Sequence, residues 1–169
     1  MEFPIRAERA EDCEAISRLI AEAFGRSEEA KLVAALRTAG NLSVSLLAED
    51  AEGRPVGHIA FSPLTLDGAP CPGLGLAPLA VAEGFRRRGI GGALVESGLA
   101  GCRRAGAKFA VVLGEPEYYG RFGFRAASGW GLGNEYQVDE PFQAVELEPG
   151  GMPRGGLVRY APEFGQLGD

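Results

Sequence analysis

Apolar residues near the start of the chain recur at the spacing of an α-helix. Over residues 11–24, one helical face is formed by Ile16, Leu19, Ile20 and Ala23. Acidic side chains occupy the first turn, where they face the positive end of the helix dipole. The pattern therefore predicts an amphipathic helix here.

A short edge strand is predicted before this helix, at Phe3–Arg6, and a second helix after it, from Ser27 to Ala39. Ser27 is a favourable N-cap because a serine hydroxyl can accept a hydrogen bond from a free backbone amide, and glutamates follow in the first turn. Gly40 and Asn41 suit the end of this helix.

Later segments have the shorter and more continuous apolar pattern of β-strands. The loop at residues 50–54 suits a hairpin, and the run at residues 74–81 is apolar enough to be buried on both faces. The predicted strands are Ser43–Glu49, Pro55–Ser62, Leu74–Val81, Phe109–Leu113, Ala144–Glu148 and Gly156–Tyr160.

The most regular pattern begins at Gly89 and ends near Gly106. One half of its helical wheel is apolar or small, whereas Glu96, Arg103 and Arg104 lie on the other half. The residues on the apolar half are Ile90, Leu94, Val95, Gly98, Leu99 and Cys102. With the strands on either side, this helix makes a βαβ unit, so we predict an α/β (α+β) protein with a central mixed sheet.

Composition restricts the function further. The 169 residues fit one domain, 1–169, and a net charge of −6 disfavours general nucleic-acid binding. Three widely spaced cysteines indicate neither a disulfide framework nor a zinc site, and the one histidine, His58, is expected to have a hydrogen-bonded structural role. We expect a cytoplasmic protein without membrane contact, because the chain has neither an apolar run of membrane-spanning length nor a signal-peptide pattern.

The segment from Arg86 to Ala93 carries the candidate chemistry. It joins the apolar strand to the amphipathic helix, and a helix N-terminus presents free amides and a partial positive charge. Glycines at 89, 91 and 92 remove side chains that would keep a pyrophosphate away from those amides, and three arginines add positive charge. The segment therefore predicts a phosphate-bearing ligand.

Two common phosphate-binding motifs fit this segment poorly. A Walker A loop requires Gly-Lys-Ser/Thr, which the chain lacks. A Rossmann fingerprint requires a third glycine where Leu94 stands, and an acidic residue about 20 positions further on, where the chain is apolar.

Arg86-x-x-Gly89-x-Gly91 resembles the acetyl-CoA pyrophosphate loop of the GNAT N-acetyltransferase superfamily. Tyr119-x-x-x-Gly123-Phe124 matches a second family signature at the expected separation. The segment Gly-Glu-Pro-Glu-Tyr-Tyr-Gly-Arg-Phe-Gly-Phe at residues 114–124 is similar to predicted bacterial members. The resemblance implies a mostly antiparallel mixed sheet, splayed between its fourth and fifth strands and flanked by helices.

The resemblance also implies roles for particular residues. Tyr119 would protonate the departing CoA thiolate and contact the cosubstrate. The base that accepts the proton of the amine would be Glu83, Glu115 or a water relay. The residues expected to bind acetyl-CoA are Leu79, Ala80 and Val81 on the strand edge, and Arg86, Arg87, Arg88, Gly89, Ile90, Gly91, Gly92 and Ala93 around the pyrophosphate.

The predicted reaction is direct transfer of an acetyl group from acetyl-CoA to a primary amine, with no metal. The negative net charge favours a cationic acceptor, such as a small amine, an aminoglycoside or a lysine-bearing peptide. Family analogy also raises a homodimer. Two other hypotheses stay open: a catalytically silent acyl-CoA sensor, and a dinucleotide-dependent oxidoreductase.

Overall fold

The computed structural model describes residues 3–166, which contain four α-helices and nine strands of one sheet. The helices are α1 (Cys13–Phe24), α2 (Glu28–Thr38), α3 (Ile90–Arg104) and α4 (Pro116–Gly120). The strands are β1 (Ile5–Ala7), β2 (Val44–Glu49), β3 (Pro55–Leu66), β4 (Ala69–Val81), β5 (Phe109–Leu113), β6 (Arg125–Ala126), β7 (Leu132–Asn134), β8 (Phe142–Glu146) and β9 (Gly156–Arg159). Within this part of the chain, each helix is too short or too polar to cross a bilayer.

The sheet is mixed, which confirms the predicted fold class. Its main order is β1-β2-β3-β4-β5-β8-β6, and β9 pairs with both β3 and β7. Neighbours run antiparallel except for β4–β5 and β7–β9, which are parallel. Helix α3 connects β4 to β5, so the predicted βαβ unit is present.

Helix α3 covers one face of the sheet and α1 and α2 cover the other. The buried residues of α3 are the six that the helical wheel predicts, and they pack with Ile59 and Phe61 of β3. A Cβ atom at Gly98 would lie 2.5 Å from the Phe61 ring, so this glycine allows the close approach of α3 to the sheet. On the opposite face, Ile16 and Ile20 of α1 pack against Leu47.

The β3–β4 hairpin is longer than the sequence analysis predicts. Strand β3 extends to Leu66 and β4 begins at Ala69, with the turn made by Asp67 and Gly68. Both turn residues have positive φ, 52° and 82°. An Asp-Gly pair favours this kind of tight hairpin turn, so the sequence contained a signal for it.

Several other boundaries differ from the predicted ones. A 3-10 turn over Ala10–Asp12 precedes α1, and the side chain of Ser27 makes no capping hydrogen bond to α2. The predicted strand at residues 144–148 lies two residues earlier, as β8, because its register is set by pairing with β5. The short strands β6 and β7 were not predicted, because two or three residues show no alternation.

Candidate active site

The N-terminus of α3 faces a cleft of about 720 Å³. Gly89 precedes the helix with a φ of 82°, in the left-handed region that glycine adopts at little cost. The first turn leaves backbone amides without partners inside the helix, and the helix dipole adds partial positive charge there. This end of the cleft therefore favours a phosphate group.

The cleft is open because small residues of α3 face aromatic side chains of residues 116–122, which contain α4 and which we call the α4 segment. A Cβ atom at Gly91 would lie 2.8 Å from the Tyr118 hydroxyl oxygen, and one at Gly92 would lie 3.5 Å from the Phe122 ring. A side chain at either position would fill part of the cleft. The glycines therefore fit the phosphate cradle that the sequence predicts.

The three consecutive arginines have different surroundings. Arg86 donates hydrogen bonds to the carbonyl oxygens of Val81 and Ala23, both at 3.1 Å, and so connects the end of β4 to the end of α1. Arg87 lines the cleft, with a φ of 66°. Arg88 is exposed outside the cleft lining, with its guanidinium 5.2 Å from the centre of the Phe85 ring. Two of the three arginine side chains therefore line the cleft.

Arg121, which was not among the residues predicted to bind the cofactor, lines the same cleft from the opposite wall. Its guanidinium lies 4.5 Å from the centre of the Tyr118 ring and 5.4 Å from that of Phe122. It also donates a hydrogen bond to the Tyr118 carbonyl oxygen, at 3.3 Å. In the sequence, Arg121 is a single arginine within the aromatic segment 118–124. A single charge without a repeating pattern does not indicate a binding site, so this residue was not predicted.

Strands β4 and β5 separate as they approach this cleft. Their pairing ends at Leu76 and Val112, and the register of β4 against β3 shifts over Ala77 and Pro78. The remainder of β4, from Leu79 to Val81, continues along β3. The backbone groups on the β5 side of this segment are thus open to a ligand, as the predicted splay requires.

Three adjoining cavities follow the open edge of β4. The cleft at α3 shares Val81, Arg86, Gly91 and Tyr118 with a cavity of about 290 Å³. That cavity shares Phe24 and Leu79 with a third, of about 300 Å³, at the splay. Because they share lining residues, these cavities adjoin one another in a row from the phosphate-favouring end to the gap between β4 and β5, and we call this row the path.

Tyr118 and Tyr119 enter different parts of this path. The Tyr118 hydroxyl lies against Gly91, whereas Tyr119 lines the cavity at the splay. Their rings pack edge to face, with centres 5.0 Å apart. Burial, with a smaller contribution from Tyr118, raises the pKa of Tyr119 to about 12, and burial also raises the pKa of Tyr118. The Tyr119 phenol is therefore protonated at neutral pH and can donate a proton.

Of the two glutamates predicted as bases, neither lines the path. Glu83 is exposed and lines another cavity, of about 550 Å³ beside α1, together with Arg18 and Arg54; among the described residues, this cavity shares only Ala23 with the path. Glu115 is exposed at the N-cap of α4. The structure instead brings Glu29 of α2 into the cavity at the splay, 7% exposed. The sequence identified Glu29 only as a first-turn residue of a helix.

His58 has the structural environment that the sequence analysis expects. It is fully buried in β3, and its Nε2 lies 2.8 Å from the Ser45 hydroxyl. That hydroxyl donates to Glu8, which also accepts two hydrogen bonds from Arg37. Burial lowers the pKa of His58 to about 4, so the ring is neutral at neutral pH. Within residues 3–166, no group of three or more His, Cys, Asp or Glu side chains could hold a metal ion.

Residues 4–127 match the family model described as an acetyltransferase (GNAT) domain. The chain therefore belongs to the GNAT acetyltransferase family, and the predicted enzyme class, an N-acetyltransferase, is confirmed. It is 37% identical over 165 residues to the uncharacterized N-acetyltransferase YhbS of Escherichia coli K12, covering 96% of this chain and 99% of that protein. YjhQ of the same strain, also an uncharacterized N-acetyltransferase, is 37% identical over 139 residues, with coverage of 79% and 76%.

Solved structures agree with this family membership. The crystal structure of E. coli YhbS in complex with CoA superposes with a TM-score of 0.94 at 36% identity, over 99% of this chain and 94% of that one. A GNAT family acetyltransferase from Brucella melitensis, in complex with acetyl-CoA, has a TM-score of 0.82 at 39% identity, with coverage of 96% and 97%.

Proposed function

We propose that the protein transfers an acetyl group from acetyl-CoA directly to a primary amine. The observation that carries this proposal is the row of adjoining cavities from the α3 N-terminus to the β4–β5 splay. Such a path suits a long donor with an anionic end and a thioester end. The CoA and acetyl-CoA complexes of the E. coli and Brucella relatives support the same donor.

The phosphate end of the donor would bind at the N-terminus of α3. Backbone amides between Arg88 and Ala93 would donate hydrogen bonds to the pyrophosphate, with Arg86 and Arg87 beside it. We add Arg121 to this set, because its guanidinium lines the cleft from the α4 side. The backbone of Leu79, Ala80 and Val81 would pair with the pantetheine arm, for which the open edge of β4 supplies donors and acceptors.

Tyr119 would act as the general acid. In the transfer step, the amine nitrogen bonds to the carbonyl carbon of the thioester while the bond from that carbon to sulfur breaks. The leaving sulfur takes the Tyr119 proton, and the amine loses a proton to water. Exchange with solvent then restores the phenol. A water relay is assigned here because Glu83 and Glu115 lie outside the path.

The proposal is tested by measuring release of CoA thiol from acetyl-CoA over a panel of primary amines. Before that, thermal unfolding of the protein is measured in the presence of acetyl-CoA and, separately, in the presence of NADH. A ligand at 100 times its dissociation constant stabilises the folded state by about 2.7 kcal/mol. We expect this stabilisation, seen as a higher unfolding temperature, with acetyl-CoA and not with NADH. A shift with NADH alone would favour the oxidoreductase hypothesis.

The two measurements together separate the enzyme from an acyl-CoA sensor. We expect both stabilisation by acetyl-CoA and thiol release with at least one amine. Stabilisation without thiol release for any amine would favour the sensor. If acetyl-CoA produces neither stabilisation nor thiol release, donor binding itself is contradicted.

A further inference from the structure

The inner end of the path, at the β4–β5 splay, combines an apolar lining with a carboxylate. Of the described residues that line this cavity, Glu29 carries the charge and Tyr119 the hydroxyl, and the others are apolar. The apolar side chains come from α1, α2, β4, β5 and a 3-10 turn at Pro162–Gln166, and include Phe24, Leu32, Leu79, Leu113 and Phe164. We call this the Glu29 cavity. Its volume is about 300 Å³.

The Glu29 carboxylate is held in a fixed orientation. The Arg26 Nε donates to Glu29 Oε1 at 3.0 Å, and the Arg26 Nη2 donates to Oε2. The Glu29 side chain is 10% exposed, whereas that of Arg26 is 52% exposed. Each carboxylate oxygen has two lone pairs, so both oxygens can still accept a further hydrogen bond. A buried, oriented carboxylate with this remaining capacity is suited to bind an amine nitrogen.

We call the cleft at the N-terminus of α3 the donor cleft. The Glu29 cavity and the donor cleft approach the β4–β5 splay, where the thioester would lie, from different sides. Glu29 and Leu32 belong to α2, on the face of the sheet opposite α3. The donor cleft opens at the N-terminus of α3. Phe24 and Leu79 line both the Glu29 cavity and the cavity beside the donor cleft, so an acceptor in the Glu29 cavity would meet the thioester at this boundary.

We propose that the acceptor is a primary amine carried on an apolar group, which binds in the Glu29 cavity with its nitrogen held by the Glu29 carboxylate. This inference rests on the proposed function and narrows its acceptor class. An ammonium or amine N–H paired with a carboxylate makes a charge-assisted hydrogen bond. The apolar lining stabilises a hydrocarbon body, but it leaves the hydroxyl groups of an amino sugar without partners.

The first test compares two amines of similar ring size. Cyclohexylamine presents a primary amine on a hydrocarbon ring, and glucosamine presents one on a ring bearing hydroxyl groups. With acetyl-CoA saturating, we expect kcat/KM for cyclohexylamine to exceed that for glucosamine by about tenfold or more. Equal or preferred use of glucosamine would overturn the apolar part of the proposal.

The second test removes the charge of Glu29 while keeping its shape. We expect Glu29→Gln to raise the KM for cyclohexylamine by about tenfold or more, because a hydrogen bond to a charged group is lost. Its stabilisation by acetyl-CoA should not change. Glu28→Gln is the matched control: it removes the same charge one residue earlier, at a position outside the cavity lining, and should leave this KM unchanged.

A third variant separates amine binding from support of α2. Arg26→Gln breaks the same ion pair but keeps the Glu29 carboxylate, so its KM for cyclohexylamine should rise much less than that of Glu29→Gln. Equal effects of the two variants on KM, or no effect of Glu29→Gln, would overturn the role of Glu29. If the wild-type protein binds acetyl-CoA but acetylates no amine at all, the proposed function fails, and this inference fails with it.

Discussion

Two adjacent tyrosines illustrate how single residues acquire different roles in this protein. Tyr118 and Tyr119 are chemically identical, but one hydroxyl lies against Gly91 in the donor cleft and the other side chain lines the Glu29 cavity. Consecutive residues of a short helix point about 100° apart, so the segment can serve both regions. The deeper burial of Tyr119 is what raises its pKa to about 12.

Tyr119→Phe should lower kcat by roughly 10²–10⁴-fold, because the leaving thiolate loses its proton donor. The affinity for acetyl-CoA, measured by titration, should change little. Tyr118→Phe is the comparison, and its kcat should fall much less. If Tyr118→Phe loses more kcat than Tyr119→Phe, the general acid is Tyr118 and the assignment to Tyr119 is wrong.

His58 predicts a pH dependence of stability that is separate from catalysis. Its pKa is about 4 in the folded protein because burial disfavours the charged ring, and near 6.5 when the chain is unfolded. Between these values the unfolded state binds more protons, so stability should fall as pH decreases. From pH 7 to pH 5 the expected loss is about 2 kcal/mol in the free energy of unfolding by urea.

The control for this effect is His58→Gln, which cannot titrate. Its free energy of unfolding should be lower than that of the wild type at pH 7, because a buried hydrogen-bonded group is replaced. It should then change much less between pH 7 and pH 5. A variant that loses as much stability as the wild type over this range would assign the loss to other groups.

At the scale of elements, the close approach of α3 and α4 forms the donor cleft. Gly91 and Gly92 on α3 face Tyr118 and Phe122 on the α4 segment, and the glycines leave the space between them open. The separation of β4 from β5 then continues this space toward the splay. The proposed donor site is therefore made by the spacing of four elements, α3, α4, β4 and β5, and not by a single loop.

Gly91→Asp should abolish stabilisation by acetyl-CoA, because it places a carboxylate and a Cβ atom where the pyrophosphate would bind. The matched control is Gly84→Asp, which adds the same charge nearby, at a position where a Cβ atom meets nothing within 4 Å. Differential scanning fluorimetry with and without acetyl-CoA measures both. An undiminished shift in Gly91→Asp would move the donor site elsewhere.

At the scale of the whole molecule, the global and local fields have opposite signs. The chain has a net charge of −6, whereas the donor cleft is lined by three arginines, Arg86, Arg87 and Arg121, and one glutamate, Glu96. Charges in solution act over roughly 8–10 Å at physiological salt, so the arginines should dominate for a bound phosphate. An anionic donor would then bind to an acidic protein through a local positive site.

Raising the NaCl concentration should therefore weaken binding of CoA several-fold, measured by isothermal titration calorimetry, because salt screens the cleft arginines. Arg121→Gln should bind CoA more weakly at low salt and show a smaller salt dependence. An affinity that rises with salt would contradict this prediction. It would mean that repulsion by the net negative charge controls binding.

Short-range patterns were enough to predict the fold class and the βαβ unit, which the structure confirms, and they are also the basis of the proposed donor motif. The helical period of apolar residues predicts the buried face of α3. The glycines after Arg86 indicate a phosphate site, because a phosphate can reach the free amides of a helix N-terminus only where no side chain is in the way. Predicted strand boundaries were less accurate, since Gly-rich segments have little alternation and pairing partners set the register.

No local pattern could show which distant side chains share a cavity. Glu29 and Tyr119 are ninety positions apart, and they meet because α2 and the α4 segment pack near the same gap in the sheet. For the same reason Glu83 lies in a different cavity although it follows β4 directly. Local patterns determine which face of an element is apolar, but the relative placement of elements arises from packing the whole chain. That placement creates the cavity that we propose for the acceptor.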